Sequence, residues 1–337
     1  MSILAVRAAD YDGHRVTVSA DDGTPLAVRA FGPSDAPLSV VFVHGHCLRA
    51  ESWSLLREQL LPQWGRYGGG ACGADGVGGH LGSSTRMVFY DHRGHGASGT
   101  ADPSTYTIDQ LARDLDAVLR AAAPTGPVVL VGHSMGAMVA LAYARLFPAA
   151  IGTRIIGIGL IAAAAGGITH VGLARFLNRR AVSSLQTAVR RAPRAMQASK
   201  QFSRRIFEPI MREASFGTRP VSPRMVAVAT AMLNDTPLLT MASFLDSLIR
   251  FDETATLRLL ADLPTLVLAG SADILIPFAH SVVLASQLPG AELVRLDGAG
   301  HSVILERTEE VAAAVAALVE RARTAVTETD TVYAEAG

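Results

Sequence analysis

Two kinds of apolar pattern alternate along this chain. Near-continuous apolar runs recur at Leu38–Val43, Met87–Tyr90, Val128–Val131, Ile155–Ile161, Thr265–Leu268 and Glu292–Leu296, as expected for strands buried on both faces of a sheet. Arg15–Ser19 and Leu26–Ala30 add an opening hairpin, which brings the predicted strands to eight. Between them, Leu111, Leu115, Val118 and Leu119 fall on one face of a predicted helix Ile108–Ala123, opened by a capping box of Thr107 and Gln110. Val311–Arg323 predicts a closing helix. Strands alternating with helices predict an α/β fold, a mostly parallel sheet with helices on both faces.

Three segments depart from the alternation. Residues 65–84 are dense in glycine, which disfavours helix and strand interiors alike and predicts a surface loop. From about Gly166 to Leu260 the pattern is helical throughout, with Met225, Ala229 and Met232 and then Leu245, Leu248 and Ile249 at helical spacing. Residues 166–260 therefore predict a helical cap inserted into a core built from residues 1–165 and 261–325. Beyond Thr324 the residues are small or polar without an apolar period, so residues 326–337 are expected to form a frayed, flexible tail. The longest apolar run, Ile155 to Gly167, is short of the roughly 20 residues that a membrane span needs.

Composition narrows the choice of partner. With 49% apolar residues in 337, the chain can bury a sizeable core. Thirty basic residues balance thirty acidic ones, which argues against a nucleic-acid partner held by a general positive field. The balance hides an asymmetry. Between His170 and Arg224 stand eleven arginines and Lys200 against only Glu208 and Glu213. Cys47 and Cys72 are the only cysteines, too few for a disulfide framework or for a zinc site of paired cysteines. Met1–Arg7 lacks the basic stretch and long apolar run of a secretory leader, so the expected setting is reducing and cytoplasmic.

The sharpest chemical signal is Gly132-His133-Ser134-Met135-Gly136, directly after a predicted strand and before the helical run Met138–Phe147. A serine on so sharp a turn needs strained backbone angles, and glycines two residues to either side relieve the crowding. The hydroxyl also lies near the positive end of the following helix, where developing negative charge is stabilised. His44-Gly45-His46 follows the third strand, and Asp91-His92-Arg93-Gly94-His95-Gly96-Ala97-Ser98 follows the fourth. With these three motifs in this order, the chain resembles the α/β-hydrolases over nearly its whole length. The resemblance implies the α/β-hydrolase fold with Ser134 on the nucleophile elbow.

A serine hydroxyl needs a base to take its proton and a third group to orient that base. In the family order the acid and then the histidine follow the serine. His301, in the loop Asp297-Gly298-Ala299-Gly300-His301 after the last strand, is the expected base; His280 lies in a predicted helix and reads as an ordinary helical histidine. Asp273, in Gly270-Ser271-Ala272-Asp273 after the seventh strand, matches the family's acid position, while Ala162–Gly167 after the sixth strand offers no carboxylate. Asp297 reads as the end of a strand. By the same resemblance the backbone amides of Met135 and His46 form the oxyanion hole, where an apolar residue often stands in place of His46. Cys47 reads as a small buried residue. Asp91 and Arg93 read as structural, bonding backbone groups and each other around the turn. His92, His95 and His133 lack metal partners at a recognised spacing, so neither metal nor cofactor is expected.

The implied activity is that of a cofactor-independent serine hydrolase of carboxylic esters, resembling the esterase and monoacylglycerol-lipase-like branch and acting on a small-molecule or lipid ester. The same triad also serves C–C bond hydrolases, thioesterases and cofactor-free peroxidases, and the scaffold serves ligand-binding proteins without turnover. The cap is expected to form the acyl pocket. Its apolar positions Met225, Met232, Phe244, Leu245 and Leu248 are candidate lining residues, with packing between cap helices as the alternative. The basic stretch Arg175 to Arg224 has three readings: peripheral contact with an anionic membrane, a solvated face, or recognition of an anionic substrate.

Overall fold

All eight predicted segments are strands: β1 His14–Ser19, β2 Pro25–Phe31, β3 Leu38–Val43, β4 Thr85–Tyr90, β5 Val128–His133, β6 Ile155–Ile161, β7 Thr265–Gly270 and β8 Ala291–Leu296. The computed structural model describes residues 13–64, 85–172, 179–200 and 214–335. One sheet holds the strands in the order β1-β2-β4-β3-β5-β6-β7-β8, antiparallel from β1 through β4 and parallel from there on. Every residue of β3 to β7 is buried, whereas the edge strands β1 and β8 are half exposed. That contrast is why the inner strands read as unbroken apolar runs. The protein has the α/β-hydrolase fold.

Two apolar layers sandwich the sheet. On one side pack the helices α2 (Ile108–Ala122) and α3 (Met135–Leu146) through residues such as Leu111, Leu115 and Leu141. On the other pack α1 (Ser54–Trp64) and the closing helix through Leu56, Leu60, Val311, Val315 and Leu318. At the start of α2, Thr107 Oγ1 accepts from Gln110 N at 3.1 Å, but the reciprocal half of the expected box is absent. The Gln110 side chain donates to Asp114 Oδ1 instead. The closing helix runs from Thr308 to Glu335, so most of the expected tail 326–337 is helical. Val326 still packs on the second layer, and residues of fair helix propensity extend a helix once it is nucleated by buried turns.

Between β6 and β7 the described chain is helical: α4 Arg179–Arg191, a further helical segment at 193–200, α5 Pro223–Asp235 and α6 Leu238–Ile249. The two ends of this insertion meet where Glu253 N donates to Ala165 O at 2.6 Å and Gly166 bridges Asp252. The glycine-dense stretch 65–84, Cys72 and the segment Met1–Arg7 lie outside the described residues, as do Arg175 and the 201–213 part of the basic stretch. Among the described residues no single helix is long and apolar enough to cross a membrane; α5 and α6 reach that composition only as a pair bent by 91°.

The turn after β4 is structural, with one change from expectation. Asp91 accepts from Ala50 N at 2.7 Å and Ala97 N at 2.8 Å, and a Cβ on Gly96 would stand 2.2 Å from its Oδ2. Arg93 does not pair with Asp91. Its fully buried guanidinium reaches Asp114 at 2.6 Å and Asp22 at 2.7 Å, because it points under the sheet edge towards α2.

Candidate active site

Ser134 sits between β5 and α3 at φ 54° and ψ −120°, a left-handed conformation that a non-glycine residue adopts only where its surroundings hold it. Its flanking glycines are sterically required. A Cβ on Gly132 would stand 2.4 Å from Ala137 N, and one on Gly136 only 2.0 Å from Val43 O. Ser134 N donates to Ile161 O at 2.8 Å, which ties the elbow to the neighbouring strand.

The loop after β8 brings His301 over this turn. His301 Nε2 lies 2.9 Å from Ser134 Oγ, and His301 Nδ1 lies 2.7 Å from Asp273 Oδ2. The other oxygen of Asp273 accepts from Leu275 N and Ile276 N, both at 2.9 Å, so the fully buried carboxylate is fixed in direction. Burial of His301 opposes its charged form, but the Asp273 carboxylate outweighs burial and raises the pKa above the ordinary 6.5. With Asp273 accepting at Nδ1, the neutral ring carries its proton there and presents Nε2 to the serine as an acceptor. Asp297 is elsewhere, exposed and paired with Arg295 at 3.0 Å.

The two expected amide donors, those of Met135 and His46, both lie beside Ser134. Met135 opens α3, where the first N–H groups of a helix lack intrahelical acceptors. A Cβ on Gly45 would lie 3.1 Å from Ser134 Cβ, so the Gly45-His46 peptide abuts the serine. Among the described residues neither the Met135 nor the His46 amide donates to another protein group. After His46 the chain turns through Cys47 at φ 61°, and burial pushes the Cys47 thiol up to about 12.

Several residues that frame this geometry carried no functional reading in the sequence. Glu306 accepts from Gly300 N and Gly217 N, both at 2.9 Å, and so clamps the histidine loop to the cap. Thr218 N donates to Gly298 O at 2.9 Å, and Ser302 N to Ser215 O at 2.7 Å, which lace the same two segments together. His133 Nε2 donates to the His301 carbonyl at 2.9 Å. Glu306 belongs to no motif and its partners lie on separate segments, whereas His133 stands inside the elbow motif beside Ser134.

Behind the site lies a layer of buried histidines. His44 Nε2 accepts from His92 N at 3.0 Å, so its proton is on Nδ1, which donates to Gly45 O at 2.8 Å. His92 Nε2 donates to His44 O at 3.0 Å, and His95 Nε2 accepts from Cys47 N at 3.2 Å. Burial lowers His44 to about 4, His95 and His133 to about 3, and His92 well below the ordinary value, so the layer is neutral. His280 lies in the helix Ala279–Ser286, as expected of a helical histidine. Among the described residues no group of three or more His, Cys, Asp or Glu side chains is placed to hold a metal ion.

Of the candidate lining residues, Phe244 is fully buried with its ring 5.9 Å from that of His46. Met232 is buried in α5, Leu248 packs against the first core layer, and Met225 and Leu245 are half-buried. A crevice of about 430 Å³ between Tyr106, Arg145, Gln186 and Glu253 shares no lining residue with Ser134, His301 and Asp273.

Comparison with known proteins agrees with this architecture. The model of the alpha/beta hydrolase family matches residues 40–314. The chain is similar to the proline iminopeptidase PfmaB of Pestalotiopsis fici, 25% identical over 316 residues that cover 89% of this chain and 98% of that protein. A match to the polyketide synthase ThaQ of Burkholderia thailandensis is 47% identical over 77 residues, 23% of this chain, and spans only 4% of that protein. In fold, the chain is similar to a thermophilic esterase from Thermogutta terrifontis, with a TM-score of 0.70 and 23% identity over 92% of this chain and 99% of that one.

Proposed function

The chain belongs to the alpha/beta hydrolase family, and on that premise we propose that it is a serine hydrolase that cleaves carboxylic esters through an acyl-Ser134 intermediate. The observation that carries the reading is the hydrogen-bonded line from Ser134 Oγ through His301 to Asp273, 2.9 Å and 2.7 Å long. In this mechanism His301 Nε2 takes the Ser134 proton as Oγ bonds to the ester carbonyl carbon. The carbonyl oxygen becomes negative and receives the Met135 and His46 amides; losing one such donor typically costs about 3 kcal/mol. His301 then returns the proton to the departing alkoxide. Water repeats the sequence on the acyl-serine and releases the acid.

The test is labelling with a fluorophosphonate, followed by turnover of p-nitrophenyl esters of increasing chain length. Labelling at Ser134 and multiple turnovers per protein support the reading. Because an iminopeptidase is among the similar proteins, proline p-nitroanilide is the informative control. Cleavage of the anilide in preference to every ester overturns the ester assignment, and stoichiometric labelling without turnover of either assigns a binding role.

A further inference from the structure

Lys200 is the only lysine in the chain; arginine fills every other place among the thirty lysine and arginine positions. Its half-buried ammonium donates to the carbonyls of Leu233 at 3.0 Å, Asn234 at 3.1 Å and Thr236 at 2.5 Å. These lie at the end of α5, where the last carbonyls of a helix lack intrahelical donors, and α5 has no basic residue in its own last turn. An ammonium projects three N–H groups as a tripod, whereas a guanidinium holds its donors in one plane. Three carbonyls converging on one point therefore select lysine in a chain that otherwise uses arginine.

The corner gathered in this way leans on the loop that carries the His46 amide. Arg49 Nη1 donates to Asp235 Oδ2 at 3.0 Å. The buried Thr236 hydroxyl shares its single proton between Met232 O at 3.1 Å and Cys47 O at 3.4 Å. Cys47 directly follows His46 and is held at φ 61°, a left-handed conformation that a non-glycine residue keeps only with outside support.

We propose that Lys200 is a positioning residue for the oxyanion hole: by gathering the carbonyls of Leu233, Asn234 and Thr236 it fixes the cap corner against Cys47 and Arg49, and so aims the His46 amide at Ser134. The effect on rate rests on the ester-hydrolase reading; the effect on the loop does not.

The experiment compares the full-length wild type with Lys200→Met, Lys200→Arg and Thr236→Val, well below each melting midpoint. In each, p-nitrophenyl butyrate kinetics are measured beside hydrogen exchange of the peptide covering residues 44–50. In Lys200→Met, kcat is expected to fall about tenfold, part of the effect of losing an oxyanion donor outright, with KM within twofold. Exchange in the 44–50 peptide is expected to rise. Lys200→Arg is expected to recover only part of kcat, and Thr236→Val to reproduce the loss to a smaller degree without removing the charge. A change in KM alone, or a lowered kcat with wild-type exchange in residues 44–50, overturns the proposal. A wild type without ester turnover refutes the ester reading instead, and exchange alone then decides whether Lys200 holds the loop.

Discussion

In the proposed mechanism the 2.7 Å contact between His301 and Asp273 fixes both the tautomer of the base and the pH at which it works. Only neutral His301 accepts the serine proton, and the net raised pKa means that it becomes neutral above 6.5. Ester turnover is thus expected to rise with pH with its midpoint above 6.5, and Asp273→Asn to move that midpoint down; a profile flat from pH 5.5 to 8 with chemistry limiting the rate contradicts a histidine base. Ser134→Ala, His301→Ala and Asp273→Asn are each expected to lower kcat by about 10⁴-fold or more without unfolding the protein, and paired substitutions to be little worse than the worst single one. Asp297→Asn, at an exposed site paired with Arg295, is expected to keep near-wild-type kcat, which separates the two carboxylates in one assay. These residues were legible in the sequence because each stands in a short motif at a strand end. Glu306 was not, because its oxygens serve the backbone of Gly300 and of Gly217, and amide groups leave no mark on residue type.

The eight strands and helix α2 were legible to within two residues, whereas α3 starts earlier than its apolar run and the closing helix continues to Glu335, well past the last residue its periodicity marked. The reading failed where side chains chose between partners. Gln110 bonds Asp114 rather than completing the box with Thr107, and Arg93 turns to Asp114 and Asp22 rather than to Asp91. Burial of the Arg93 pair carries a prediction: Arg93→Met leaves the Asp114 carboxylate buried without its cation and is expected to destabilise the fold by about 3–5 kcal/mol in urea unfolding. The basic helix α4 is also sharper in the structure than in the sequence. Val182 and Val189 are its buried residues, on the side where Gln186 donates to Ala242 O of α6, while Arg179, Arg180, Arg190 and Arg191 are exposed. Its apolar side is therefore already occupied, which favours the solvated-face reading over membrane insertion. Replacing these four arginines with glutamine is expected to leave both ester kinetics and co-sedimentation with anionic vesicles as in the parent; salt-sensitive vesicle binding lost in the variant restores the membrane reading.

For the molecule as a whole, the buried neutral histidines set a limit in mild acid. Folded pKa values of about 4 for His44 and about 3 for His95 and His133, with His92 also lowered, lie below the ordinary 6.5. The unfolded chain therefore binds more protons as pH falls through 6.5, and each such group removes about 1.4 kcal/mol of stability per pH unit below that point. His301, with a raised pKa, works in the opposite direction but is a single group. Burial raises the carboxyls of Asp91, Asp114 and Glu306, so in the folded state they take up protons before free carboxyls do and, like His301, offset part of the loss as pH falls. The melting midpoint is expected to drop by about 5 °C between pH 7 and 5.5. An unchanged midpoint in calorimetry contradicts a neutral histidine layer.

The lacing of residues 215–218 to residues 298–302, with Glu306 closing both, bears on how such a protein diversifies. An insertion joined to its host only at its two ends can be exchanged by recombination as a cassette, and new specificity then arrives in one step. Here a cassette cut at the neck, Ala165 and Glu253, would carry away the acceptors and donors that seat the loop of His301. The heritable unit of specificity is therefore the insertion together with the distant stretch from Gly298 to Glu306, and a chimera is expected to regain turnover only when both come from the same parent.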